Sequence, residues 1–343
     1  MNTYKVFVCE GPKKIAAYTV EKREPAADEV SVKVDSCAIC TLEQRFYTGV
    51  MTKYPFALGH EVSGIVEAVG SHVRSVKSGD KVAVRLLNSC GECYYCRNGH
   101  ENQCVVSFLA HTQPCAVGPG GMAEYMIVPA KSVYKMASDA DCTHIALTEP
   151  LACCVHSISN AHVSLADDVV VVGVGIMGAF HIQLAKLCGA RVIACEVDDA
   201  RLAVAKKMGA DFTINSKKEN AAEKVLEYTE GRGADAVFCT VAIPAVAQDC
   251  LAMASKLGRI VFYSSFHPDN PIQVNPNKIH STEQIITGSV NPQIKDFSIA
   301  SRLISNKLID TASLISECIP CDRIQEAFEK AIDPTTFRIV VRF

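Results

Sequence analysis

The sequence predicts a mixed α/β protein in which a β-rich domain is interrupted by a doubly wound parallel sheet. Two observations predict this plan. The first third carries short alternating apolar and polar runs broken by glycines. From about residue 155 onward, apolar runs alternate with helical stretches. The expected division is 1–153 with 290–343 for the β-rich domain and 154–289 for the parallel-sheet one.

Each element has its own signal. Residues 30–34, Val-Ser-Val-Lys-Val, alternate as a half-buried strand should. Runs at 62–69 and 80–84 are similar, and such close spacing suggests a compact barrel. Residues 168–172 are a continuous apolar run after Asp168, fit for a strand covered on both faces. Helices are expected at 178–188, 200–208, 221–229 and 245–255. Strands are expected at 191–196, 211–214, 234–239 and 259–263. Two further helices, 296–307 and 324–331, precede a closing strand at 338–343, which returns the chain to the first domain.

Composition narrows the function. The chain has 343 residues, 49% of them hydrophobic, enough for two domains. A formal charge of −3 and dispersed Lys and Arg argue against nucleic acid or a membrane surface as partner. No run of about 18 apolar residues is present, and residues 1–10 lack a signal-peptide pattern. The expected location is the cytoplasm. The 17 cysteines, an odd number, then read as reduced thiols and metal ligands.

Cys90, Cys93, Cys96 and Cys104 stand as C-x2-C-x2-C-x7-C. Four thiolates on one loop can close a tetrahedral zinc shell without an open position, which makes that zinc structural. An iron–sulfur cluster or disulfides are the alternatives.

Gly173-Val-Gly175-Ile176-Met177-Gly178 follows the buried run and opens a helix. In that context it is a dinucleotide fingerprint, with the pyrophosphate on the helix N-terminus. Glu196 ends the second strand, eighteen residues past Gly178. An acid there accepts from the ribose hydroxyls and repels the extra phosphate of NADP, so NAD is expected. Arg201 could soften that repulsion, although its plainer role is a solvated helix charge.

Cys40, His60, Glu61 and Glu149 supply a thiolate, an imidazole and carboxylates, a set suited to an open catalytic zinc. On spacing alone, Cys37 rivals Cys40, and Cys153 or Cys154 rivals Glu149.

Gly59-His60-Glu61, the four-cysteine loop, Gly120-Gly121-Met-Ala-Glu-Tyr125, Glu149-Pro150-Leu151-Ala152, Gly173 to Gly178 and Gly288-Ser289 together resemble the zinc-containing medium-chain dehydrogenases. The resemblance spans the chain and is strongest to the sorbitol and threonine dehydrogenase branch of this alcohol dehydrogenase superfamily. It implies a groES-like catalytic domain, a Rossmann domain, and a homodimer or homotetramer. It also selects Cys40 and His60 as ligands, brings Glu61 and Glu149 to the metal directly or through water, and adds Thr240 and Ser289 to the cofactor contacts. The implied reaction moves hydride between NAD and a small polar secondary alcohol. Two zinc ions per chain follow, one closed and one open.

One departure stands out. The family places Ser or Thr two residues after the ligand cysteine and His five residues after it, as a proton relay. Leu42 and Arg45 occupy those positions here. Leu carries no proton, and Arg stays charged. Glu61 or Glu149 with a zinc-bound water then becomes the expected proton acceptor. Arg45 either recognises a substrate anion or pairs with cofactor phosphates or Glu43. The competing expectation is an inactive NAD-binding regulator, with an amino-alcohol dehydrogenase as a further alternative.

Overall fold

The computed structural model describes residues 3–106, 113 and 115–343. The chain divides into two compact units, residues 1–152 with 291–343, and residues 153–290.

Asp168–Val172 lies in the interior of the second unit's sheet, and all five of its residues are buried. Helices can cover both faces of a parallel sheet, so its inner strands have no polar alternation. The six strands are parallel. Their spatial order is Phe212–Asn215, Arg191–Glu196, Asp168–Val172, Ala234–Cys239, Ala254–Phe262, Ile285–Gly288. In chain order this is 3-2-1-4-5-6, the doubly wound arrangement, with its switch point beside Asp168–Val172. Ile176–Leu187 follows that strand and is buried over most of its length. Asp199–Lys207 and Ala221–Tyr228 start where Asp198 and Asn220 accept backbone amides as N-caps. Pro244 opens Pro244–Met253.

One expected boundary moves. The helix expected over 245–255 ends at Met253, because Ala254 turns extended (φ −81°, ψ 139°) and pairs with Ala234. Strand pairing there outweighs the helical pattern of the sequence. The register shift that follows lets a strand begin five residues earlier than expected.

In the first unit, Glu29–Ala38 is the organising strand. It pairs antiparallel with Glu61–Val69, Tyr125–Pro129 and the C-terminal Arg338–Arg342. Lys81–Arg85, Val133–Lys135 and Ile315–Pro320 complete this sheet. Thr3–Gly11, Lys14–Glu21 and Phe56–Ala57 form a second, three-stranded sheet. The alternation read at 30–34 is only partly kept. Lys33 is exposed, but Ser31 is fully buried and accepts the Ala68 amide at 3.0 Å. A strand paired on both edges buries polar positions when a partner satisfies them. Among the described residues, no helix is long and apolar enough to cross a membrane.

Candidate metal and cofactor sites

Cys40 is the N-cap residue of the helix Thr41–Thr48, so its side chain stands at the helix start. Gly59 precedes His60 with φ +95°, and an added Cβ there would lie 2.4 Å from the Met122 amide nitrogen. Only glycine fits that turn. It delivers His60 to the edge of Glu61–Val69. Glu149 sits in the first turn of Thr148–Asn160.

These elements bring Cys40, His60, Glu61 and Glu149 together. One donor atom each from Cys40, Glu43 and His60 lies within 4.8 Å of the others, and the same holds for His60, Glu61 and Glu149. His60 Nε2 is 4.0 Å from Glu149 Oε2. Cys37 is fully buried, with its Sγ against the Ala38 carbonyl. Cys154 Sγ meets the Met177 carbonyl at 3.6 Å. Neither belongs to these donor groups.

Two residues behind the cluster escape the sequence reading. Glu43 is fully buried, and its Oε1 accepts from His60 Nδ1 at 2.8 Å and from the Gly59 amide at 3.2 Å. That bond leaves Nε2 as the ring atom for a metal. Its only sequence signal is an acid in the first turn of a helix, which the helix dipole alone would explain. Arg338 donates from Nε and Nη2 to both oxygens of Glu61, at 3.0 and 2.5 Å, with both residues buried. It lies 277 residues away in sequence, where no local pattern connects the two.

The electrostatics favour a cation here. Burial opposes an imidazolium at His60, yet Glu43 and Cys40 outweigh it and raise its pKa well above the ordinary value. Burial likewise opposes the Arg338 charge, and Glu61 overrides it. Glu43 Oε2 is buried with no hydrogen-bond partner among the described residues. A half-buried thiol with a buried imidazole and buried carboxylates fits a divalent metal of the zinc type.

The four-cysteine loop fits zinc by distance. Cys90 Sγ lies 3.5 Å from Cys104 Sγ and 3.9 Å from Cys96 Sγ. A tetrahedron with Zn–S bonds near 2.3 Å has edges of about 3.8 Å. The amides of Cys93, Cys96, Cys90 and Val106 point at sulfurs of the cluster. Backbone amides hold the Cys93 and Cys104 thiols below their ordinary pKa, while burial pushes that of Cys96 up.

In the second unit, an added Cβ at Gly178 would lie 1.9 Å from the Gly173 carbonyl, so the helix crosses the strand end at glycine distance. Gly175 N-caps that helix without a side-chain bond to its amides, and an added Cβ there would meet only Arg201 Nη1, at 3.6 Å. The amides of the helix start at Ile176 and Met177 could therefore cradle a pyrophosphate. Thr240 Oγ1 donates to the Val172 and Gly173 carbonyls at 2.9 and 3.1 Å. The Glu196 carboxylate accepts the Val174 and Val197 amides, and Arg201 Nη1 donates to the Val174 carbonyl at 3.3 Å. Ser289 Oγ is buried with no partner among the described residues. Arg45 is half-buried on the helix Thr41–Thr48.

Comparison with known proteins agrees with this anatomy. Residues 26–138 match the alcohol dehydrogenase GroES-like domain, and residues 173–306 match the zinc-binding dehydrogenase domain. The chain is 32% identical to D-arabitol-phosphate dehydrogenase of Enterococcus avium, covering 93% of this chain and 91% of that one. It is 33% identical to L-threonine 3-dehydrogenase of Bacillus subtilis, covering 88% and 87%. A zinc-binding dehydrogenase of Sinorhizobium meliloti, solved with NADP, superposes with a TM-score of 0.91 at 26% identity over 100% of both chains. An Escherichia coli dehydrogenase solved with NADH gives 0.90 at 27%, again over 100% of both. A four-cysteine loop, an imidazole–carboxylate–thiol cluster and a glycine-rich strand-to-helix turn on one chain thus have a common explanation: the chain belongs to the zinc-type alcohol dehydrogenase family, as an oxidoreductase with a nicotinamide cofactor.

Proposed function

We propose that this chain is a zinc-dependent dehydrogenase that moves hydride from a small polar secondary alcohol to NAD, giving the ketone. The substrate class is a polyol, a sugar alcohol or its phosphate. The observation that carries this reading is the pair of donor groups that share His60, one with Cys40 and Glu43 and the other with Glu61 and Glu149, with Glu43 fixing the imidazole from behind. Cys40 and His60 would hold the catalytic zinc, with the Glu149 and Glu61 carboxylates beside it. Cys90, Cys93, Cys96 and Cys104 would hold a second, structural one. When bound, zinc lowers the pKa of the alcohol oxygen, and NAD accepts the hydride.

The protein's own residues do the rest. Glu43 keeps His60 in the tautomer that presents Nε2. Arg338 occupies both oxygens of Glu61 and balances a buried negative charge. That leaves Glu149, buried in the first turn of its helix, as the carboxylate we assign to take the alcohol proton, directly or through water. It replaces the relay that Leu42 and Arg45 interrupt. Glu196 at the end of its strand favours NAD over NADP. The neighbours solved with NADP and with NADH leave that preference to measurement. Seventeen cysteines outside any disulfide suit the cytoplasm, and a homodimer or homotetramer is the assembly we assign.

The relatives are named for a sugar-alcohol phosphate and for threonine, so an amino alcohol is the second substrate class to test. The deciding experiment is NADH formation by zinc-replete protein against polyols, their phosphates, amino alcohols and simple alcohols. A preference for polyols or their phosphates supports the reading. A preference for amino alcohols replaces the substrate class. No turnover in either direction, with ketones and NADH included, supports the inactive regulator that the absent relay suggests.

A further inference from the structure

Arg85 is the last residue of Lys81–Arg85 and is 5% exposed. A guanidinium is always charged and carries five donors. At this depth it is normally held by a carboxylate, because an unpaired buried charge is costly. Arg338, equally buried, has Glu61. Among the described residues Arg85 has no such partner. Its Nε makes no hydrogen bond among the described residues. Burial pushes its pKa down, whereas Glu61 holds that of Arg338 up. Glu101 and Glu149 act on Arg85 only through space, outweighed by that burial. An unsatisfied buried donor on a permanent cation calls for an absent anion.

A cavity of about 160 Å³ opens beside it, lined by Arg85, Leu87, Asn88, Glu101, Asn102 and Asn291 among others. Three amide side chains face one space with the guanidinium. The Oδ1 of Asn88 accepts from Ser132 Oγ at 3.0 Å, which turns the donor end of that amide, Nδ2, away from Ser132. Glu101 is the one acid in the wall among the described residues. It can accept a hydroxyl next to an anionic group, or the protonated oxygen of a phosphate monoester. Cys104 and Val106 of the four-cysteine loop complete the lining. Arg85 is directly opposite Glu61 in the antiparallel register, so the two side chains share a face of the sheet, and Glu61 follows His60.

We propose that Arg85, with Asn88, Asn102 and Asn291, is the subsite for the anionic end of the substrate, a phosphate ester or a carboxylate. This rests on the dehydrogenase reading above and narrows its substrate to an anionic alcohol. The sequence alone draws attention to Arg45 for such a role. The structure draws it to Arg85, where burial and an unsatisfied donor coincide.

The test has a binding arm and a kinetic arm, each with wild type, Arg85→Met and Arg85→Lys. In the binding arm, inorganic phosphate is titrated into zinc-loaded protein by calorimetry. Binding to wild type that weakens at least tenfold in Arg85→Met and is partly kept in Arg85→Lys is the expected result. In the kinetic arm, kcat/KM is compared for sugar-alcohol phosphates, hydroxy acids and neutral polyols. The preference for anionic over neutral substrates should fall about 100-fold in Arg85→Met, mainly through KM. Whether phosphates or hydroxy acids lead identifies the anion. The melting temperature of Arg85→Met should hold or rise, since the change removes an unpaired buried charge. A lower melting temperature with phosphate binding intact would make Arg85 structural and overturn the proposal. Neutral polyols preferred by the wild type would also overturn it. Phosphate binding lost in Arg85→Met with no turnover of any alcohol would uphold the subsite and overturn the dehydrogenase reading instead.

Discussion

Glu43 Oε1 stands 2.8 Å from His60 Nδ1, and both side chains are buried. The carboxylate fixes ring orientation and tautomer and makes the imidazole a stronger ligand. Replacing Glu43 with Gln keeps the shape and removes the charge. The expected result is a drop of about 10–100-fold in affinity at the catalytic zinc, with the four-cysteine zinc retained. Competition with a chromophoric chelator measures it. Unchanged affinity would mean that Glu43 only packs.

The four-cysteine loop is expected to act on stability rather than chemistry. Cys93→Ser should release one zinc per chain and lower the melting temperature by at least about 5 °C, since each kcal/mol moves a domain of this size by about 2–4 °C. Metal analysis alongside calorimetry checks both. A variant that keeps its full zinc content would refute the assignment of Cys93.

Glu196 ends its strand with the carboxylate gathered onto the Val174 and Val197 amides, beside the glycine turn. Glu196→Ser removes the charge facing a 2′-phosphate. The ratio of kcat/KM for NADP over NAD should rise about tenfold or more, equivalent to ~1.4 kcal/mol. An unmoved ratio would take Glu196 out of the ribose site.

His181 gives a pH test of the cofactor unit. It is fully buried between Met177 O at 2.8 Å and Ser157 Oγ at 2.9 Å. Burial lowers its pKa to about 4 from 6.5. Between those values the unfolded chain binds a proton that the folded chain refuses, so stability falls as pH falls. The loss between pH 7 and pH 4.5 is about 2 kcal/mol. Urea unfolding of wild type and His181→Gln across that range should show a flatter profile for the variant. Parallel profiles would contradict this.

The fold was legible where one residue pattern admits one environment. The apolar run at 168–172, the glycines after it and the thiol spacing at 90–104 each report a local constraint. The missing parts are non-local. Arg338 reaches Glu61 only because the C-terminal strand pairs with Glu29–Ala38, which pairs in turn with Glu61–Val69. Glu43 looks like an ordinary acid at a helix start until Gly59 and His60 are folded against it. Arg85 looks like the end of an ordinary strand until its burial is known. The boundary near Ala254 moved for the same reason, a pairing with Ala234 that no local window contains.

The most direct test is metal content and turnover measured together on wild type and Cys40→Ala. The account expects about two zinc ions per chain in wild type and about one in the variant. NADH formation should be abolished in the variant while NAD still binds. A variant that keeps both zinc ions, or that still turns over its substrate, would contradict the claim that Cys40, His60 and Glu149 form the catalytic centre.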